Sequence, residues 1–116
     1  TIVAAHYGRT APAFTEGARL LDRYPNLFMD VSMGGGLPRY QKEIGLYREQ
    51  YRDFIFQYQD RLMWGTDVII NPKTTVQFLK ERINKDFVVL GESLGLSQPI
   101  LEKIFYKNPR RILKIE

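Results

Sequence analysis

The sequence predicts an α/β protein built on parallel strands, and three observations carry that prediction. Three apolar runs are each too short for a helix, each is followed by a segment with helical spacing, and no hairpin signal joins any two of them. Strand and helix alternating without hairpins imply a parallel sheet with right-handed crossovers. In such sheets ligands collect at the carboxyl ends of the strands. The polar residues that close the first and third runs, His6 and Asp67, are therefore the first candidates for function.

Residues 2–6, Ile-Val-Ala-Ala-His, form the first run, and Gly8 and Pro12 break the chain after it. Alternation puts Ile2, Ala4 and His6 on one face of this strand. From Ala13 to Tyr24, Phe14, Ala18 and Leu21 recur at helical spacing until Pro25 stops the pattern. The second run, Leu27 to Ser32, is apolar on both faces as far as Asp30, as a strand covered on both sides should be. Asp30 and Ser32 can line a site or cap the following turn through side-chain to backbone bonds, and capping is the commoner role.

Met33 to Tyr40, with Gly34, Gly35, Gly36 and Pro38, reads as a loop. One long helix is expected from Arg39 to Gln59, with Tyr47, Tyr51, Phe54, Ile55 and Tyr58 as its apolar stripe. The third strand runs from Arg61 to Asp67, and alternation turns Trp64 toward the helix layer as a packing residue. Helical segments follow at Thr74 to Ile83, with Val76, Leu79 and Ile83 inward, and at Phe87 to Leu94. Ser97 suits an N-cap with Pro99 in the first turn, ahead of inward Leu101, Ile104 and Phe105. Asn108-Pro109 starts a last helix carrying Ile112 and Leu113.

The chain has 116 residues, 44% hydrophobic and 26% charged, which suits one modest globular domain. It enters its first strand from Thr1 without an initiator Met, so it is expected to be cut from something longer. No run approaches the roughly 20 apolar residues of a membrane span and no secretory leader is present, so a cytoplasmic location without membrane contact is expected. With no cysteine, disulfides, thiolate metal sites and a cysteine nucleophile are excluded, and any metal must be held by nitrogen and oxygen. The net charge is +4, and Lys107, Arg110, Arg111 and Lys114 share one helical face. Aromatic residues do not interleave with them as nucleic-acid binding requires, so the face reads as solvated and no nucleic-acid partner is expected. Gly34-Gly35-Gly36 lacks the Lys-Ser/Thr of a phosphate loop, and no G-x-G-x-x-G is present.

Two architectures accommodate this order: part of a (β/α)₈ barrel, or half of an open doubly wound sheet. His6 is the only histidine. Alone among small apolar residues, a histidine is more often structural than functional. Asp67 is the stronger candidate, because a carboxylate at a buried strand end needs a pair, a hydrogen bond or a cation. Arg9 follows His6 and could meet an anionic substrate, although loop arginines are usually solvated.

Taken in order, the motifs resemble the C-terminal part of the amidohydrolase-related family, the metal-dependent barrel hydrolases and decarboxylases of the amidohydrolase superfamily. Ile2-Val3-Ala4-Ala5-His6-Tyr7-Gly8 resembles the family's strand ending in His-x-Gly. Tyr24-Pro25-Asn26-Leu27-Phe28-Met29-Asp30-Val31-Ser32 is similar to its YPN-apolar-D-x-S strand, and Asp60-Arg61-Leu62-Met63-Trp64-Gly65-Thr66-Asp67 to its DR-apolar-apolar-G-[ST]-D strand. Ile104 to Leu113 matches its closing I-x-x-x-N-x-x-R-[LI].

The resemblance implies that residues 1–116 are a partial domain: strands six to eight of a (β/α)₈ TIM barrel with terminal helices, its N-terminal part missing. It implies a metal-dependent hydrolase or decarboxylase acting on a small organic substrate, with a divalent metal, zinc foremost, and a full-length enzyme that can form a homo-oligomer. Asp67 would bind the metal and take a proton from the attacking water. His6 would polarise or orient the substrate, and in some members this histidine ligates metal. Arg9 and the loop from Met33 to Tyr40 would face the substrate. The first-strand His-x-His and fifth-strand His of the family are absent, so the chain alone is expected to bind metal poorly and to be inactive. The rival expectation is a non-catalytic βα assembly or binding module whose basic C-terminal helix meets an acidic partner. In either case bare sheet edges are expected to favour self-association or partial melting.

Overall fold

In the computed structural model, which describes residues 1–32, 37–67 and 69–115, three strands form one parallel sheet in the order β1-β2-β3. They are β1 (Ile2–Ala4), β2 (Leu27–Asp30) and β3 (Leu62–Met63). Ile2 aligns with Leu27 and Ala4 with Met29, while Met29 aligns with Leu62 and Asp30 with Met63. Helix α1 (Thr15–Arg23) makes the first crossover, and α2 (Leu37–Leu46) with α3 (Arg48–Gln57) the second. Parallel pairing needs such crossovers, and it brings the carboxyl ends of all three strands to one side.

Each strand is shorter than its apolar run, and past β1 and β3 the chain finds partners outside the ladder. After Ala4 the backbone turns left-handed at His6, Tyr7, Gly8 and Arg9, with φ of 56°, 53°, 61° and 57°. Such angles are costly for residues other than glycine. The turn is held by Tyr7, fully buried in the core, and by the His6 amide, which leaves the ladder for Asp30. His6 is thus not the last residue of β1, as alternation placed it. At β3, the Trp64 amide donates to the Ile104 carbonyl at 2.9 Å, so the strand ends at Met63 and Asp67 lies four residues beyond it.

The expected long helix from Arg39 to Gln59 is two helices broken at Tyr47 (φ −124°, ψ 38°). The break lets α2 bury Tyr40 and Ile44 while α3 buries Tyr51, Phe54 and Ile55, and Tyr47 becomes exposed. Conversely, Thr74 to Ile83 and Phe87 to Leu94 belong to one helix, α4 (Val76–Leu94). The Thr75 hydroxyl caps it by accepting the Phe78 amide at 3.1 Å, and left-handed Gly95 ends it. Only its second half packs inward, through Asp86, Val89, Leu90 and Leu94. Val76 and Ile83, expected to face inward, are exposed. Helix α5 (Gln98–Glu102), a π-helical turn (Lys103–Lys107) and α6 (Asn108–Leu113) follow, with Leu101 and Ile104 buried as expected, Phe105 partly buried, and Ile112 buried beside exposed Leu113.

The amino-terminal side of the sheet is tied by polar side chains acting on backbone. Arg61 Nε donates to the Leu27 carbonyl at 2.9 Å and its Nη2 to that of Tyr24 at 2.6 Å. Buried Asn108 donates from Nδ2 to the carbonyls of Gln59 (2.6 Å) and Leu62 (2.7 Å). Arg111 reaches the Asp60 carbonyl at 2.5 Å. In the last helical segments Lys107 pairs with Glu102, and Arg110 stacks over the Tyr106 ring. Among the described residues no helix is long and apolar enough to cross a membrane.

The core between sheet and helices is aromatic. Tyr7 meets Phe14 and Tyr51 edge-on at 5.4 and 5.5 Å, and Phe14 stacks on Phe54 at 4.4 Å. The Tyr7 and Tyr40 hydroxyls hydrogen-bond to each other, and burial, first among the causes, pushes both phenols well above their ordinary value of 10.0. The folded state therefore keeps protons that the unfolded chain releases above pH 10, so stability is intact below that pH and falls as pH rises past it. Each of these two phenols should cost about 1.4 kcal/mol of stability per pH unit there. Phenolate absorbance should show Tyr7 and Tyr40 titrating only with cooperative unfolding, and Tyr7→Phe should shallow the alkaline slope.

Candidate active site

At the carboxyl side of the sheet, Asp30 closes β2 with one oxygen that gathers three donors. Oδ1 accepts the His6 amide at 2.9 Å, the Ser32 amide at 3.0 Å and the Ser32 hydroxyl at 2.5 Å. Capping is thus its role, as expected, and the cap reaches across to the turn after β1. Buried Ser32 also lies 2.9 Å from His6 Nδ1, so a residue that the sequence pointed toward capping also touches the histidine.

The other ring nitrogen, His6 Nε2, faces Asp67 Oδ1 at 3.7 Å. The two candidates, 61 positions apart in sequence, therefore face each other across 3.7 Å. Their settings differ from the expectation of two buried strand ends. The Asp67 side chain is 49% exposed and that of His6 18% exposed. Asp67 takes a left-handed φ of 58° in the loop after β3. Burial thus does not oblige Asp67 to find a partner, and its position opposite His6 is the feature that marks it. Arg9 is exposed in the turn that carries His6, and no hydrogen bond or ion pair among the described residues draws it to His6 or Asp67. Residues 33–36 of the expected substrate-facing loop lie outside the described residues.

Two supporting residues escaped the sequence reading. Asp86, buried on α4, accepts the Trp64 indole N–H at 3.1 Å and the Arg82 Nε–H at 3.0 Å. Arg82 also donates to the Thr66 carbonyl at 3.4 Å, one residue before Asp67. The segment from Trp64 to Asp67 is thereby clamped to α4, while Trp64 stacks on Phe105 in the helix layer as expected. The i, i+4 spacing of Arg82 and Asp86 and the need of a buried indole for an acceptor were the available signals.

Among the described residues no group of three or more His, Asp or Glu side chains could hold a metal ion. His6 Nε2 and Asp67 Oδ1 form a pair of donors of the kinds, nitrogen and oxygen, that divalent metals accept. In comparisons with known proteins, a family model described as amidohydrolase matches residues 1–115. No curated protein and no solved structure matches the chain.

Gly65 shows how tightly this side of the sheet is assembled. A Cβ there would lie 2.9 Å from Asp30 Cγ and 3.1 Å from its Oδ2. Gly65→Ala should push Asp30 off its three donors and destabilise the fold by about 1–3 kcal/mol. Gly45→Ala, on an open face of α2 where an added Cβ meets nothing within 4 Å, should instead stabilise it by about 0.4–1 kcal/mol. Urea unfolding of the two variants checks the opposite signs.

Proposed function

Because the chain belongs to the amidohydrolase family, we propose that it supplies part of the active site of a metal-dependent hydrolase or decarboxylase acting on a small organic substrate. Its three strands are the sixth to eighth of a (β/α)₈ barrel. The observation that carries this reading is the meeting of His6 Nε2 and Asp67 Oδ1, 3.7 Å apart, beyond the carboxyl ends of parallel strands. That is the side on which barrel enzymes build their sites.

The residues fit a metal in kind and fall short of one in number. Asp67 would hold it, with His6 beside it, and zinc suits a set of nitrogen and oxygen donors; further ligands have to come from residues other than those described. A bound divalent ion would lower the pKa of a water molecule and polarise a substrate oxygen. The half-exposed Asp67 carboxylate has an open approach for taking a proton. His6, fixed by Ser32, orients the substrate across from it. Arg9, exposed in the turn that carries His6, would meet a substrate's negative charge.

One observation favours a second reading as an assembly module. Ile69, Ile70 and Val76, before and at the start of α4, are 85%, 72% and 68% exposed, and Ile2 on the free edge of β1 is 57% exposed. Apolar surface of this kind calls for a covering partner. The enzyme reading covers it with the remaining barrel units, the module reading with another protein. The coding sequence separates them: a His-x-His and a further histidine upstream of Thr1 support the enzyme, and a start codon immediately before Thr1 supports the module.

Calorimetric zinc titration of this chain is expected to show weak binding without a low-micromolar one-to-one event. Tight stoichiometric binding that disappears in Asp67→Asn would overturn the view that further ligands come from elsewhere.

A further inference from the structure

The hydrogen bonds around Ser32 determine which nitrogen of His6 carries the proton. Asp30 Oδ1 receives two backbone N–H groups, from His6 and Ser32, whose protons are fixed by the chain. An oxygen so engaged is an acceptor toward its third neighbour, the Ser32 hydroxyl at 2.5 Å. A hydroxyl has one proton, and here it goes to Asp30. Toward His6 Nδ1, 2.9 Å away, Ser32 Oγ therefore has only lone pairs to offer, and Nδ1 must be the donor. The opposite assignment would aim the hydroxyl proton at Nδ1 and leave Ser32 Oγ and Asp30 Oδ1 as two acceptors in contact.

We infer that Ser32, oriented by Asp30, is a positioning residue that locks neutral His6 as the Nδ1–H tautomer, with the lone pair of Nε2 presented to the space it shares with Asp67. The arrangement parallels the way an outer hydrogen bond fixes the tautomer of a functional imidazole. Nε2 and Asp67 Oδ1 are then two acceptors facing each other at 3.7 Å. Neutral His6 cannot donate from Nε2 to a substrate carbonyl. It accepts instead from a substrate O–H or N–H group, or gives its lone pair to a cation between the two atoms. This narrows the orienting role given to His6 above, and the functional consequence rests on the amidohydrolase reading; the tautomer itself rests on the hydrogen bonds alone.

Since His6 is the only histidine in the sequence, one ring contributes to a nitrogen-15 spectrum of histidine-labelled protein. Long-range proton–nitrogen correlation, at a pH where the ring is neutral, should show Nδ1 as the protonated nitrogen and Nε2 as the bare one. Ser32→Ala should lose this pattern, with Nε2–H becoming populated, and Ser32→Thr, which keeps the hydroxyl, should retain it. An Nε2–H ring in the unmodified chain overturns the inference, whether or not any variant folds. So does a Ser32→Ala spectrum unchanged from the parent, or a Ser32→Thr spectrum like that of Ser32→Ala. Zinc titration is a separate readout, so the metal reading can fail while the tautomer stands, and the reverse.

Discussion

The carboxyl side of this sheet depends on one oxygen atom, Asp30 Oδ1. It takes the amide of His6 from the turn after β1, the amide of Ser32 from just beyond β2, and the Ser32 hydroxyl. Hydrogen bonds to a charged acceptor are stronger than neutral ones, and this set joins two chain segments that the ladder has already released. The side chain on the other flank of Asp30 is absent altogether, because Gly65 leaves room that a Cβ would fill. The ends of all three strands therefore meet at one carboxylate, and the left-handed turn carrying His6 is held from both sides, by Asp30 and by buried Tyr7.

The two sides of the sheet divide the work. On the amino-terminal side Arg61, Asn108 and Arg111 satisfy backbone carbonyls and tie the strands to one another and to the last helix. These residues belong to the motifs that carry the family resemblance, and their contacts are structural. On the carboxyl side the polar groups point at each other and at solvent. His6 and Asp67 come together there because the strands are parallel and in register, not because either residue lies within a strand. The Arg82–Asp86–Trp64 clamp gives the Asp67 loop a rigid support on α4.

The parallel sense of the strands and much of the core could be read from the sequence, because alternation without hairpins implies crossovers and apolar periodicity reports directly on which face is buried. Phe14, Leu21, Tyr51, Phe54, Ile55 and Ile104 all lie where their spacing put them. Element ends could not be read that way. β1 stops before His6 because a carboxylate 24 residues on captures its amide, and β3 stops because Trp64 bonds to Ile104. The break at Tyr47 and the continuity of α4 through Asp86 likewise depend on tertiary packing rather than on local pattern. For the site, the place of His6 and Asp67 at the carboxyl side of the sheet, where they face each other, was legible and their surroundings were not. The expectation of a buried Asp67 came from treating an apolar run as a full strand, whereas the chain has already left the sheet at Met63.

That one carboxylate organises the carboxyl side of the sheet is a claim hydrogen exchange can test residue by residue. In the native chain the His6 and Ser32 amides should be protected. In Asp30→Ala both should exchange rapidly while the neighbouring ladder amides of Met29 and Val31, which donate to Arg61 and Met63 carbonyls, stay slow. Rapid exchange at His6 in the native chain, or protection there that survives removal of the Asp30 carboxylate, would contradict the account.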